Sequence, residues 1–136
     1  MTILIAEDEK VLAEVLKEEF EVEGFNVSTV GNGNDALKAL KSSSRPDVLI
    51  LDLLMPEKDG FAVLEEINED QAHNLKTIPV IVLSNLGQDE DIKKALSLGA
   101  TDYFVKAQHP IAEVVEKVKK ILEKGNFQKN KPSKSK

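Results

Sequence analysis

Short apolar runs alternate with longer amphipathic stretches along the chain. Thr2–Ala6, Asn26–Val30, Asp47–Leu51, Pro79–Leu83 and Asp102–Val105 have the length and apolar content of strands. The first, third and fourth are nearly unbroken in Ile, Leu and Val, the pattern of parallel strands covered on both faces. Between them the apolar residues take helical spacing. Val11, Val15, Phe20 and Val22 sit in a Lys/Glu-rich frame, and Ala36, Leu37 and Leu40 follow Asn34, read as an N-cap region. Phe61, Leu64 and Ile67 recur after Gly60, while Ile92, Ala95, Leu96 and Leu98 lead to Gly99, a C-terminal stop. A last helix is predicted over Pro110–Lys124, with Ile111, Val114, Val115, Val118, Ile121 and Leu122 along one face and Gly125 at its end. Five β/α units in strict alternation predict an α/β fold, a doubly wound five-stranded parallel sheet with five helices and right-handed crossovers.

Composition narrows this little, and charge narrows it more. At 136 residues and 41% hydrophobic content, one domain has enough core without disulfides, and no cysteine is present to form any. The domain is expected over residues 1–124. Residues 125–136, GNFQKNKPSKSK, hold four lysines and no acid, and are expected to form a disordered polar tail. The remaining body carries 24 acids against 14 bases, a net charge of −10. That charge speaks against direct nucleic-acid binding, which needs a basic face. No apolar run reaches the roughly 20 residues that span a bilayer, and three acids by position 9 do not suit a signal peptide, so a cytoplasmic protein is expected.

In open parallel sheets, ligands bind beyond the carboxyl ends of the strands. The residues at those ends are Glu7 and Asp8, Asp52, Ser84 and Lys106. Singly, each has an ordinary explanation; Asp8 could cap the first helix, and Ser84 the turn before the fourth. Together they place three carboxylates, a hydroxyl and an amine on one edge. Three close carboxylates repel unless a cation compensates, and a hard, oxygen-seeking ion such as Mg²⁺ does so.

The sequence resembles the receiver domain of bacterial two-component response regulators, a flavodoxin-like fold, over about Thr2 to Glu123. The stretches that carry the resemblance are Leu4–Glu9, Asp47–Gly60, Pro79–Ser84 and Gly99–Lys106. The run Asp52-Leu-Leu-Met-Pro, with Asp59-Gly60, then Ser84 and Lys106 in order, is the specific part. The resemblance implies a phosphorylation-controlled switch and not a turnover enzyme. Asp52 would be the phosphoacceptor; Glu7, Asp8, Asp52 and the backbone carbonyl of Leu54 would hold Mg²⁺ or Mn²⁺, Glu7 largely through a water. Lys106 and Ser84 would contact the phosphoryl oxygens, and Ser84 with Tyr103 would form the switch. A half-buried edge-strand aromatic is the plain alternative for Tyr103. Implied partners are a sensor histidine kinase or histidine phosphotransfer protein, and a downstream protein on the helix 4–strand 5–helix 5 face. A phosphorylation-linked homodimer is also implied. With no output module after the fifth helix, the chain reads as a stand-alone receiver, with an excised receiver as the competing reading.

Two departures from the family pattern matter. Lys106 is followed by Ala107 where many members have a cis-linked proline, so a trans peptide is expected here. Leu54 and Leu86, two residues beyond Asp52 and Ser84, offer no polar group to a hydrolytic water, which predicts a long-lived phosphoryl group. Three other functions fit less well. A haloacid-dehalogenase-type phosphatase wants an acid where Leu54 stands. A flavin binder wants a phosphate loop where Glu7-Asp8-Glu9 stands, and stacking aromatics, which make up 4% of the chain. A receiver-like interaction module that takes no phosphate would have no need of all five strand-end residues.

Overall fold

A computed structural model describes residues 1–130, with the backbone alone for 125–130. The elements run β1 (Thr2–Ala6), α1 (Lys10–Val22), β2 (Asn26–Val30), α2 (Gly33–Leu40), β3 (Val48–Leu51), α3 (Gly60–Glu69), a 3₁₀ turn (Leu75–Thr77), β4 (Val80–Ser84), α4 (Asp89–Ser97), β5 (Asp102–Val105) and α5 (Ile111–Asn130). All strand pairs are parallel, in the order β2-β1-β3-β4-β5. The chain leaves β1 toward β2, then returns to β3 on the other side, so the order switches at β1 and β3. Their carboxyl ends open the crevice where ligands of such sheets sit.

Successive strand residues point to opposite faces, and both faces are apolar. Leu4, Ala6, Leu49, Leu51, Val80 and Val82 form one core with Ala36, Leu37 and Leu40 of α2 and Val63, Leu64 and Ile67 of α3. Ile3, Ile5, Val48, Ile50, Ile81 and Leu83 form the other with Leu16 and Phe20 of α1 and Val114, Val115, Val118 and Leu122 of α5. This two-sided burial is why the strands read as continuous apolar runs.

The helices depart from the sequence pattern in three places. In α1 the buried residues are Ala13, Leu16 and Phe20, whereas Val11 and Val22 are 76% and 81% exposed. Spacings of three and four put Ala13, Leu16 and Phe20 on one stripe, and the valines fall outside it. The cap of α2 is Asn32, not Asn34: its side-chain oxygen accepts the Asp35 N–H at 2.8 Å. The last helix does not stop at Gly125 but continues to Asn130; a single glycine costs a helix only about 1 kcal/mol relative to Ala. Of the expected tail, residues 131–136 lie outside the described residues.

Gly99 does end α4, at φ 105, a left-handed conformation that suits glycine. The Ala100 N–H reaches the Ala95 carbonyl at 3.1 Å and the Gly99 N–H reaches Leu96 at 3.1 Å, the paired bonds of a Schellman stop.

Candidate functional site

The strand-end residues stay in the sheet's hydrogen-bond ladder just past the apolar runs. The Glu7 N–H donates to Val30 at 2.9 Å, Asp52 to Ala6 at 3.0 Å, and Lys106 to Ser84 at 2.9 Å. Backbone pairing therefore fixes where each functional side chain starts. Among the described residues, the buried polar or charged side chains are Glu7, Asp52 and Ser84. Polar groups buried this deeply need partners, and these have them.

Lys106 reaches between two acids. Its Nζ lies 2.9 Å from Glu7 Oε1 and 2.9 Å from Asp52 Oδ2. The second oxygen of Glu7 accepts the Glu9 N–H at 3.0 Å, and Asp52 Oδ1 accepts the Leu54 N–H at 3.2 Å. The Ser84 hydroxyl oxygen accepts the Leu86 N–H at 3.4 Å. Burial pushes the Glu7 carboxyl above its usual range, outweighing its bonds to Lys106 and the Glu9 N–H. Burial also works against the Lys106 ammonium, yet the hydrogen bonds it donates to Glu7 and Asp52 prevail and hold it above its usual value. The lysine thus stays cationic through neutral pH.

Glu7, Asp8 and Asp52 each offer an oxygen, and these oxygens all lie within 4.8 Å of one another. One ammonium against three carboxylates leaves two negative charges, the complement of one divalent cation. Oxygen donors alone suit a hard ion such as Mg²⁺ or Mn²⁺. Asp8 is exposed, and an open cleft of about 350 Å³ bordered by Lys10, Glu14 and Gly31 gives water access to this side. An ion that retains several waters fits such a rim.

Residues 3–119 match the response regulator receiver domain. The chain belongs to the receiver family. It is 37% identical to the transcriptional regulatory protein CpxR of Escherichia coli over 125 residues, 92% of this chain and 50% of that protein. It is 38% identical to the response regulator SaeR of Staphylococcus epidermidis over 120 residues, 88% of this chain and 49% of that protein. The receiver thus spans about half the length of these curated relatives. Among solved structures, the Francisella response regulator 1452 receiver domain superposes with a TM-score of 0.81 at 30% identity, covering 91% of this chain and 98% of that one. The phosphorylated cyanobacterial phytochrome response regulator RcpA does so with a TM-score of 0.75 at 34% identity, covering 90% and 91%.

The remaining features of this receiver concern β5 and the loops around it. Tyr103 is half-buried, packed against the α2/α3 core, and its hydroxyl donates to the Leu86 carbonyl. Burial first, then the charges of Asp91 and Asp52, push its pKa up to about 12, so the hydroxyl keeps its proton and remains a donor. The acceptor is a backbone carbonyl, which no side-chain pattern in the sequence announces. The peptide after Lys106 is trans, as expected with Ala107 in place of proline. The Leu54 side chain is 52% exposed while Leu86 is half-buried, so any apolar shielding of the Asp52 surroundings falls mainly to Leu86. No helix among the described residues is long and apolar enough to cross a membrane.

Proposed function

We propose that this receiver is a switch charged by transfer of a phosphoryl group to Asp52. The observation that carries the reading is the buried Asp52 carboxylate, bound by Lys106 on one oxygen and grouped with Glu7 and Asp8. The likeness to phosphorylated RcpA supports it. A carboxylate oxygen of Asp52 forms a bond to phosphorus as the bond from phosphorus to the donor's imidazole nitrogen breaks. The electron pair leaves on that nitrogen, which takes up a proton, and an acyl phosphate remains. Lys106 and the Ser84 hydroxyl then meet the phosphoryl oxygens, so catalysis is positioning and electrostatics.

Glu7, Asp8, Asp52 and the Leu54 carbonyl would hold the cation. Both Glu7 oxygens already accept hydrogen bonds, which suits it to act through a bound water. Held there, a divalent cation would supply neutralising charge to the transferring group and relief to the crowded carboxylates. The donor is a sensor histidine kinase or a histidine phosphotransfer protein. On phosphorylation, Ser84 and Tyr103 report the new charge to the face of α4, β5 and α5, where a downstream protein or a second copy binds.

Two measurements test this reading. Incubated with acetyl phosphate and Mg²⁺, the protein is expected to gain the mass of one HPO₃, and to gain nothing when EDTA replaces the metal. Absence of the gain with Mg²⁺ present refutes the proposal. The phosphoryl group is expected to persist, because Leu86 offers its hydrolytic water no hydrogen bond. Leu86→Glu supplies a proton acceptor and should speed decay at least about tenfold, below the roughly 10²–10⁴-fold of a fully positioned base. Equal decay in the two proteins rules out Leu86 as the cause.

A further inference from the structure

The loop after Asp52 is gripped from two sides. On its own helix, the Gly60 N–H donates to the Leu53 carbonyl at 3.0 Å, and a Cβ on Gly60 would stand 2.5 Å from the Asp52 carbonyl oxygen. On the other side, Gly33 opens α2, and its N–H donates to the Lys58 carbonyl at 3.0 Å. A Cβ on Gly33 would stand 2.2 Å from that same oxygen and 2.9 Å from the Lys58 carbonyl carbon. No side chain fits in such a gap: the nearest obstructing atoms are backbone, and Lys58 Cβ stands at 2.9 Å as well. Gly33 is itself held, because the Asn32 cap ties the first turn of α2 to the Asp35 N–H.

Between the two grips the loop is not relaxed. Glu57 sits at φ 67, a left-handed conformation that L side chains avoid, and the Lys58 N–H closes onto the Pro56 carbonyl at 2.7 Å. Strain of this kind persists where surrounding structure imposes it. The backbone contact that reaches this stretch from α2 is the one from Gly33 to Lys58, while the Lys58 ammonium also pairs with Glu66 of α3.

We infer that Gly33 is a positioning residue for the phosphoryl site. Through the Lys58 carbonyl it sets the path of the loop from Leu53 to Asp59, and with it the Leu54 carbonyl that would help to hold the cation. This rests on the reading of Asp52, Glu7 and Asp8 given above. The sequence marks Gly33 only as a glycine near a helix start. Its partner is 25 residues away, a separation read directly from the two positions.

Gly24, in the turn before β2 at the amino end of the sheet, provides a built-in comparison: its φ of 97 makes a side chain there strained, yet a Cβ would meet nothing within 4 Å. Mg²⁺ binding to the full chain is measured by calorimetry for wild type, Gly33→Ala and Gly24→Ala. Gly33→Ala is expected to bind Mg²⁺ about tenfold more weakly, the scale of lost support behind a metal ligand, while Gly24→Ala binds as wild type does. Equal affinity in Gly33→Ala and wild type overturns the inference.

A second measurement needs no variant, in case Gly33→Ala fails to fold. Coupling between two sites is reciprocal, so Mg²⁺ should slow amide hydrogen exchange at Gly33 in the wild-type protein, together with exchange at residues 53–59. Slowing at 53–59 with Gly33 unchanged overturns the inference equally. Neither readout involves phosphoryl transfer, so both keep their meaning if Asp52 proves not to be the acceptor.

Discussion

Asp52→Asn is expected to abolish the gain of HPO₃ while leaving the protein folded. The amide has nearly the shape of the carboxylate, and its oxygen can still accept the Leu54 N–H, a bond of 3.2 Å in this structure. It also removes one of three crowded negative charges, which relieves repulsion in the metal-free protein. The lost property is nucleophilicity, since an amide oxygen does not form a stable acyl phosphate. Intact mass after treatment with acetyl phosphate and Mg²⁺ checks the outcome, and circular dichroism shows whether the fold is retained. A gain that persists in Asp52→Asn would assign the acceptor to another residue and remove the basis of the proposed function.

Lys106→Ala should have the next largest effect, on two independent readouts. Deleting one charged hydrogen-bond donor aimed at a reacting oxygen typically costs about 10²–10³-fold in rate. The rate of phosphorylation by acetyl phosphate should fall by that order. Stability should fall as well. Lys106 is the cation lying 2.9 Å from both Glu7 and Asp52, and its removal leaves two buried carboxylates without it. Breaking a buried pair from one side costs about 3 kcal/mol at the low end. Burial already pushes the Glu7 carboxyl up, and loss of the lysine pushes it further the same way. Mg²⁺ should restore part of the lost stability by replacing the missing charge. Urea denaturation with and without MgCl₂ measures this. A variant as stable as wild type without metal, and phosphorylated within about threefold of its rate, would show that Lys106 plays neither part.

The sheet was legible because its physics is local. Runs such as Leu49-Ile50-Leu51 are apolar at every position, which fits burial on both faces, and alternation of apolar and polar positions is not needed to find them. The edge residues followed from one further rule, that ligands meet parallel sheets at the carboxyl ends. Glu7, Asp52 and Ser84 being the buried polar side chains among the described residues matches that reading.

What escaped notice depends on contacts that sequence spacing does not encode. In α1, Val11 and Val15 fit a helical repeat as well as Leu16 and Phe20 do, and only packing against the sheet chooses between the stripes. Asn34 was a plausible cap, but the backbone turns two residues earlier, at Asn32. Gly33 answers to the carbonyl of Lys58 and Tyr103 to that of Leu86, and a main-chain partner leaves no signature in residue type.

The helix α4 carries a different consequence. Its one buried residue is Ala95; Leu96 is 45% exposed, and Lys94 lies over the Phe61 ring of α3, 4.3 Å from its centre. With Ala95 its fully buried side chain and Ile92 half-buried, the helix has little to lose by tilting, unravelling at an end or sliding along the sheet. A lightly buried helix of this kind opens locally at low free energy. If the proposed phosphoryl group is added at the neighbouring strand ends, this is the part of the surface expected to be redrawn, while the two cores beneath it stay intact.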